Sequence, residues 1–143
     1  MTSFILTLEQ ERSKKDQTYN MFIYFNANDA GRLVGDCVVR ALSVVFNDTW
    51  RHIYADLTMM GYFAYDMPNA NAIMAEYLML NSFSYHDIPE YVSSIRDFVD
   101  SHPYGTYVLA TGSHVVAAVN GNYYDTSDSG REIPIYYFRK EVA

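Results

Sequence analysis

Gly35-Asp36-Cys37-Val38-Val39-Arg40-Ala41-Leu42-Ser43-Val44-Val45-Phe46 is the stretch on which the reading of this chain turns. After Gly35 it contains no breaker. Val38, Leu42 and Val45 recur at helical spacing, and Ala41 fills the same face. Val39, Val44 and Phe46 make the stretch apolar almost all round, which suits a buried central helix rather than a surface one. Val-rich runs also form strands, so the spacing is what favours the helix. Gly35-Asp36 reads as its start. Asp36 is a natural N-cap there, or an i,i+4 partner for Arg40.

The chain reads outward from this helix in both directions. Asn26 to Gly35 is rich in Asn, Asp and Gly, so it is expected to be a loop. Met21 to Phe25 is β-prone and reads as a strand. Before it stand a short apolar piece, Phe4 to Leu6, and a polar run, Glu9 to Asn20, expected to be an edge element or a peripheral extension over residues 1–20. On the other side, a second helix is expected from Asp48-Thr49, with Trp50, Ile53, Tyr54 and Leu57 on one face and Gly61 as its stop. A third follows Pro68-Asn69, and a short strand covers Ser82 to His86. A fourth helix spans about Val92 to Ser101 and cannot pass Pro103.

The remainder reads as sheet. Strands are expected at Gly105–Ala110, His114–Val119, Asn122–Asp125 and Ile133–Phe138. Asn120-Gly121 is a strong signal for a two-residue type I′ hairpin. Helices first and an antiparallel meander after them is the segregated α+β order, and 143 residues suit one domain spanning 1–143.

Composition narrows the function. Half the residues are hydrophobic and 19% are charged, which excludes a disordered chain. The net charge is −7, and from Gly61 to Gly130 eight acids face a single base, Arg96. Such a surface repels phosphate backbones, so no nucleic-acid partner is expected. The single cysteine rules out a disulfide within the chain and argues against a Cys-based zinc site. His52 and Asp56 lie one helical turn apart, but two ligands do not make a metal site. No Gly-rich phosphate loop is present. No cofactor is therefore expected. Phe4 to Leu8 is too short for the apolar core of a secretory signal, and no stretch is long enough to span a membrane, so the expected setting is cytoplasmic with no membrane partner.

The chemistry-bearing residues are few. A cysteine nucleophile needs a lowered pKa, a base and an oxyanion donor. Cys37 stands at the expected start of the central helix, where unpaired N–H groups and the helix dipole favour a thiolate. A side-chain donor for the oxyanion is expected from the preceding loop, with Asn28 first. His114 opens a strand late in the chain. If Asn120-Gly121 is the turn, Val119 faces Asn122, Ala118 faces Tyr123 and Val116 faces Asp125. Asp125 is then a diagonal neighbour of His114, within reach of its imidazole. A carboxylate there would fix the tautomer and stabilise the imidazolium. Asp128 has the opposite parity and ranks second.

Each residue has a plain reading when taken alone. A lone cysteine at a helix start is most often a small buried hydrophobe, and a lone histidine a hydrogen-bonded core residue. The case rests on the conjunction. The order Cys37, His114, Asp125 resembles the papain-like cysteine peptidase superfamily. More narrowly, residues 35–43, 105–119 and 122–129 resemble small papain-like proteins of Gram-positive bacteria and their phages. The resemblance implies a papain-like fold with Cys37, His114 and Asp125 on the matching positions; it does not fix a substrate, and a protein or peptide is the expected one. One feature departs from the pattern: papain-like peptidases carry an oxyanion-hole Gln shortly before the nucleophile, and no Gln lies between Met21 and Cys37. The expected activity is hydrolysis of an amide or peptide bond. Acyl transfer of the transglutaminase type, an inert binding protein on the same scaffold and a purely structural domain are the alternatives.

Overall fold

The computed structural model describes residues 21–142. The apolar piece at Phe4 to Leu6 and the polar run that follows lie outside the described residues. Ten elements follow in order: β1 (Phe22–Tyr24), α1 (Cys37–Val45), α2 (Trp50–Ala64), α3 (Asn71–Leu80), β2 (Phe83–Asp87), α4 (Ile95–Ser101), β3 (Thr106–Ala110), β4 (Val115–Val119), β5 (Asn122–Asp125) and β6 (Tyr136–Lys140). The class is α+β.

One six-stranded sheet runs in the order β1-β5-β4-β3-β6-β2. Strand alternation divides its residues between two cores. Val108, Val115, Ala117, Tyr124 and Phe138 face a cluster built from α1, α2 and α3, with Leu42, Ile53, Leu57 and Leu78 at its centre. Leu109, Val116, Ala118, Tyr123 and Tyr137 face the other cluster, around Ile95, Phe98 and Val99 of α4. The sheet thus separates α1–α3 from α4. Residues Val38 to Val45, Arg40 excepted, are all buried, as expected of a helix apolar all round.

The Asn120-Gly121 turn forms as the sequence indicates. Both residues have positive φ, 47° and 82°, the backbone that a type I′ turn requires. Val119 pairs with Asn122, Ala118 with Tyr123 and Ala117 with Tyr124. The ladder stops there, one pair short of Val116 and Asp125. Asp125 instead pairs with Tyr24 in the parallel ladder of β1 and β5, and its carbonyl accepts the Phe25 N–H at 2.9 Å.

The structure corrects several expectations. The sheet is mixed, not antiparallel throughout, because β1 lies parallel to β5. It is also not wholly C-terminal: β1 and β2 come from the helical half and form its two edges, while β6 sits inside, between β3 and β2. The last strand begins at Tyr136, after Pro134, which has no N–H to give to a ladder. The fourth helix begins at Ile95, because Ser94 caps it by accepting the Asp97 N–H at 3.1 Å.

Gly61 does not end α2. The helix continues to Ala64 and closes on Tyr65 in the left-handed region. Gly61 serves the returning chain instead. A Cβ there would stand 2.6 Å from the Asp66 carbonyl oxygen, and the Asp66 N–H donates to the Gly61 carbonyl at 2.9 Å.

Candidate functional site

Cys37 is the first residue of α1 and is partly exposed. Asp36, directly before it, does not cap the helix with its side chain. One of its carboxylate oxygens accepts from Arg40 Nε at 2.8 Å, and the other accepts from Trp50 Nε1 at 2.8 Å. The N-cap expectation is therefore replaced by the i,i+4 pairing. No side chain caps α1, and while the Asp36 and Arg40 N–H groups have backbone partners, those of Cys37, Val38 and Val39 have no carbonyl ahead of them in the helix to bond.

His114 is brought opposite by the tight turn between β3 and β4. The Thr111 N–H donates to the His114 carbonyl at 2.8 Å, which closes the turn around Gly112-Ser113. His114 Nε2 lies 2.6 Å from Asp125 Oδ2, so the two meet just beyond the end of the β4–β5 ladder. Nε2 engaged in this way leaves Nδ1 for the thiol, and Cys37 and His114 line one cleft, with the imidazole lowering the pKa of the thiol. The structure therefore brings Cys37, His114 and Asp125 together.

Asp125 is almost wholly enclosed, with 1% of its side chain exposed. Oδ2 also accepts from Ser129 Oγ at 2.7 Å, while Oδ1 accepts from Arg40 Nη1 at 2.8 Å and from the Thr126 N–H at 2.7 Å. Four donors converge on one carboxylate.

The electrostatics follow from these contacts. Burial pushes the Cys37 thiol up, but the hydrogen bonds from His114 and the Val115 backbone, with the charges of His114 and Arg40, outweigh it and hold the thiol below its ordinary value. The hydrogen bond to Asp125 pushes His114 up to about 10, assisted by Cys37 and opposed by burial. Burial works against the Asp125 carboxylate too, yet His114, Arg40 and Ser129 hold it well below the usual carboxylate range. All three shifts favour the charged forms: thiolate, imidazolium and carboxylate.

A cleft of about 170 Å³ opens on Cys37 and His114, with Gly35, Asn69, Asn71 and Ser113 in its walls. Asn28 does not line it. That residue is buried, and its carboxamide oxygen accepts the Ala30 N–H at 3.0 Å within its own loop. The asparagines at the cleft are Asn69 and Asn71, which the sequence presents only as helix-start residues. A largely apolar hollow of about 350 Å³ adjoins through Gly35 and Asn69, walled by Val34, Val39, Trp50, Tyr54 and Pro68 together with Asp36. A larger hollow of about 850 Å³ is lined by other residues, among them Ser93, Arg96, Asp128 and Arg131, and holds no cysteine or histidine.

Asp128 belongs to that second region. It accepts from the Tyr123 hydroxyl, from the Gly130 N–H at 3.0 Å and from Arg96 at 3.1 Å, and it has no bond to His114. Of the two acids weighed from sequence, Asp125 is the one beside the imidazole. The other histidines are accounted for locally. His52 is exposed and bonded to Asp48. His86 stacks on Tyr137 and bonds Ser84. His102 stacks on Phe98 at 3.9 Å and bonds its carbonyl. Among the described residues, no group of three or more His, Cys, Asp or Glu could hold a metal ion, and no helix is long and apolar enough to cross a membrane.

Sequence reasoning missed three supporting residues: Arg40 as a partner of Asp125, Trp50 as a partner of Asp36, and Ser129. Arg40 left a signal, being the one charge within α1. Trp50 and Ser129 left none, because their partners are set by how α2 and the loop after β5 come back to the site. Comparisons with protein-family models, with curated proteins and with solved structures found no match for the chain.

Proposed function

We propose that the chain is a papain-like cysteine hydrolase acting on an amide or peptide bond, with Cys37 as nucleophile, His114 as base and Asp125 as the acid that orients it. The observation that carries the reading is the convergence of a helix-start cysteine and a histidine already fixed by a buried carboxylate. In this scheme His114 Nδ1 takes the Sγ proton and the Cys37 thiolate attacks the carbonyl carbon. The oxyanion sits on the open N–H groups at the start of α1. Collapse breaks the C–N bond, and the leaving amine takes the proton back from the imidazolium. Water, deprotonated by His114, then attacks the thioester, freeing the carboxylic acid and the thiol. Asp125 stays ionised throughout and holds the imidazole by Nε2. The apolar hollow beside the cleft suits a bulky apolar side chain next to the scissile bond. An amine in place of water would give acyl transfer with the same residues. The proposed setting is cytoplasmic, where a lone thiol stays reduced.

The direct test is turnover of a peptide library by the wild type and by Cys37→Ala. Cleavage that disappears in a variant with an unchanged melting temperature is the expected result. Cleavage that persists in Cys37→Ala removes the mechanism.

A second reading has its own observation. Met59, Tyr62, Phe63, Tyr65 and Met67 are all more than half exposed at the end of α2 and just after it. A run of exposed apolar side chains of this kind marks contact surfaces. It favours a papain-fold binding protein whose triad does not turn over. Thiol reactivity separates the two: the hydrolase has a reactive thiolate near neutral pH, and the binding protein has an ordinary thiol.

A further inference from the structure

Arg40 is the one charged residue within α1, and it lies one turn beyond Cys37 on that helix. Its side chain is 12% exposed, so its guanidinium is withdrawn from water. It spends its donors on two carboxylates from different parts of the fold. Nε reaches Asp36 Oδ1, and Nη1 reaches Asp125 Oδ1, both at 2.8 Å. Asp36 is the residue immediately before the nucleophile. Asp125 is the residue behind the base. One planar fork therefore spans the two halves of the site, and Trp50 fastens the far oxygen of Asp36.

The charges around Cys37 explain why such a bridge is needed. Asp36 comes from the start of α1, Asp125 from the end of β5, and His114 from the turn before β4. With a thiolate at Cys37 the cluster holds three negative groups. His114 alone would offset one of them. Two buried carboxylates beside a thiol would otherwise disfavour its ionisation.

We propose that Arg40 is the positioning residue of this site: its guanidinium ties the carboxylate before the nucleophile to the carboxylate behind the base, and its charge offsets theirs beside the Cys37 thiol. The proposal rests on the hydrolase reading for its purpose, but its test needs no substrate. Arg40 does not line the cleft that opens on Cys37 and acts through Asp36 and Asp125.

The experiment compares wild type, Arg40→Gln, Arg40→Lys and Asp36→Asn. It follows the pH dependence of Cys37 alkylation by iodoacetamide and the NMR titration of the His114 ring, assigned by its absence in His114→Ala. Arg40→Gln removes the offsetting charge, so the alkylation profile moves to higher pH. The His114 titration also moves to higher pH, because Asp125 then pulls on its proton unopposed. Arg40→Lys keeps the charge and stays closer to the wild type. Asp36→Asn removes one carboxylate and moves the alkylation profile to lower pH, which also serves if Arg40→Gln does not fold. A purely structural role for Arg40 gives a different signature: Asp125 slips from His114 and the His114 titration falls. That fall, or an Asp36→Asn profile that stays put or rises, overturns the proposal. Absence of turnover alongside the expected shifts would leave the role of Arg40 intact and count only against the hydrolase reading.

Discussion

Asp125 illustrates how one side chain serves both the fold and the site. Its carboxylate receives Arg40, His114, Ser129 and the Thr126 N–H while its backbone carries the parallel pairing to β1. Removing it leaves an imidazolium without its carboxylate, and a guanidinium with only Asp36, in a poorly solvated place. Breaking a buried ion pair by deleting one partner costs about 3–5 kcal/mol, because the remaining charge is left uncompensated. Asp125→Ala is therefore expected to lose stability on that scale in urea unfolding, and to lose Cys37 reactivity near neutral pH. A loss below about 1 kcal/mol would mean that the pairs are solvated and contribute as surface bridges do. The preference for Asp125 over Asp128 was legible in the sequence, although the Val116–Asp125 pair on which it rested does not form: the ladder ends at Ala117–Tyr124, and Asp125 meets His114 just beyond it. The four donors on its carboxylate were not, because Arg40 and Ser129 reach it through tertiary packing.

At the scale of elements, α1 reads directly from its apolar spacing. What Asp36 does there does not. A cap and an i,i+4 partner draw on the same residue types, and only the arrival of Trp50 from α2 decides between them. Gly61 teaches a related lesson. Glycine commonly stops helices because it tolerates the left-handed region, yet here Tyr65 takes that backbone and Gly61 supplies empty space. The consequence is testable. Gly61→Ala places a methyl against the Asp66 carbonyl, so it is expected to destabilise the protein by roughly 1–3 kcal/mol, the usual cost of overpacking. A Gly that acted only as an exposed helix interruption would instead gain stability on replacement by Ala. The sign of the change in the urea midpoint distinguishes the two.

For the whole molecule, the α+β class and the hairpin through Asn120-Gly121 were legible, because both rest on local patterns. The arrangement of the sheet was not. The pairing of β1 with β5 and of β6 between β3 and β2 joins segments far apart in sequence, and no local signal specifies which edge a strand will take. That arrangement matters for the site. It packs α1 over β4 and β5, with Cys37 facing the turn that carries His114, while α4 covers the opposite face with its own core. The cysteine and histidine thus come from opposite sides of one joint, and the buried pairs of Arg40 cross it.

The central claim is that Cys37 and His114 form a thiolate–imidazolium pair. The most direct measurement is the rate of Cys37 alkylation against pH in the wild type and in His114→Ala. The thiol is held below its ordinary value chiefly by His114, against the opposing effect of burial, so alkylation of the wild type should set in below the usual thiol value of about 8.5. Without His114, burial is left less opposed, and onset should move up toward or beyond that value. A wild-type profile with onset near 8.5 or higher, unchanged in His114→Ala, would contradict the account.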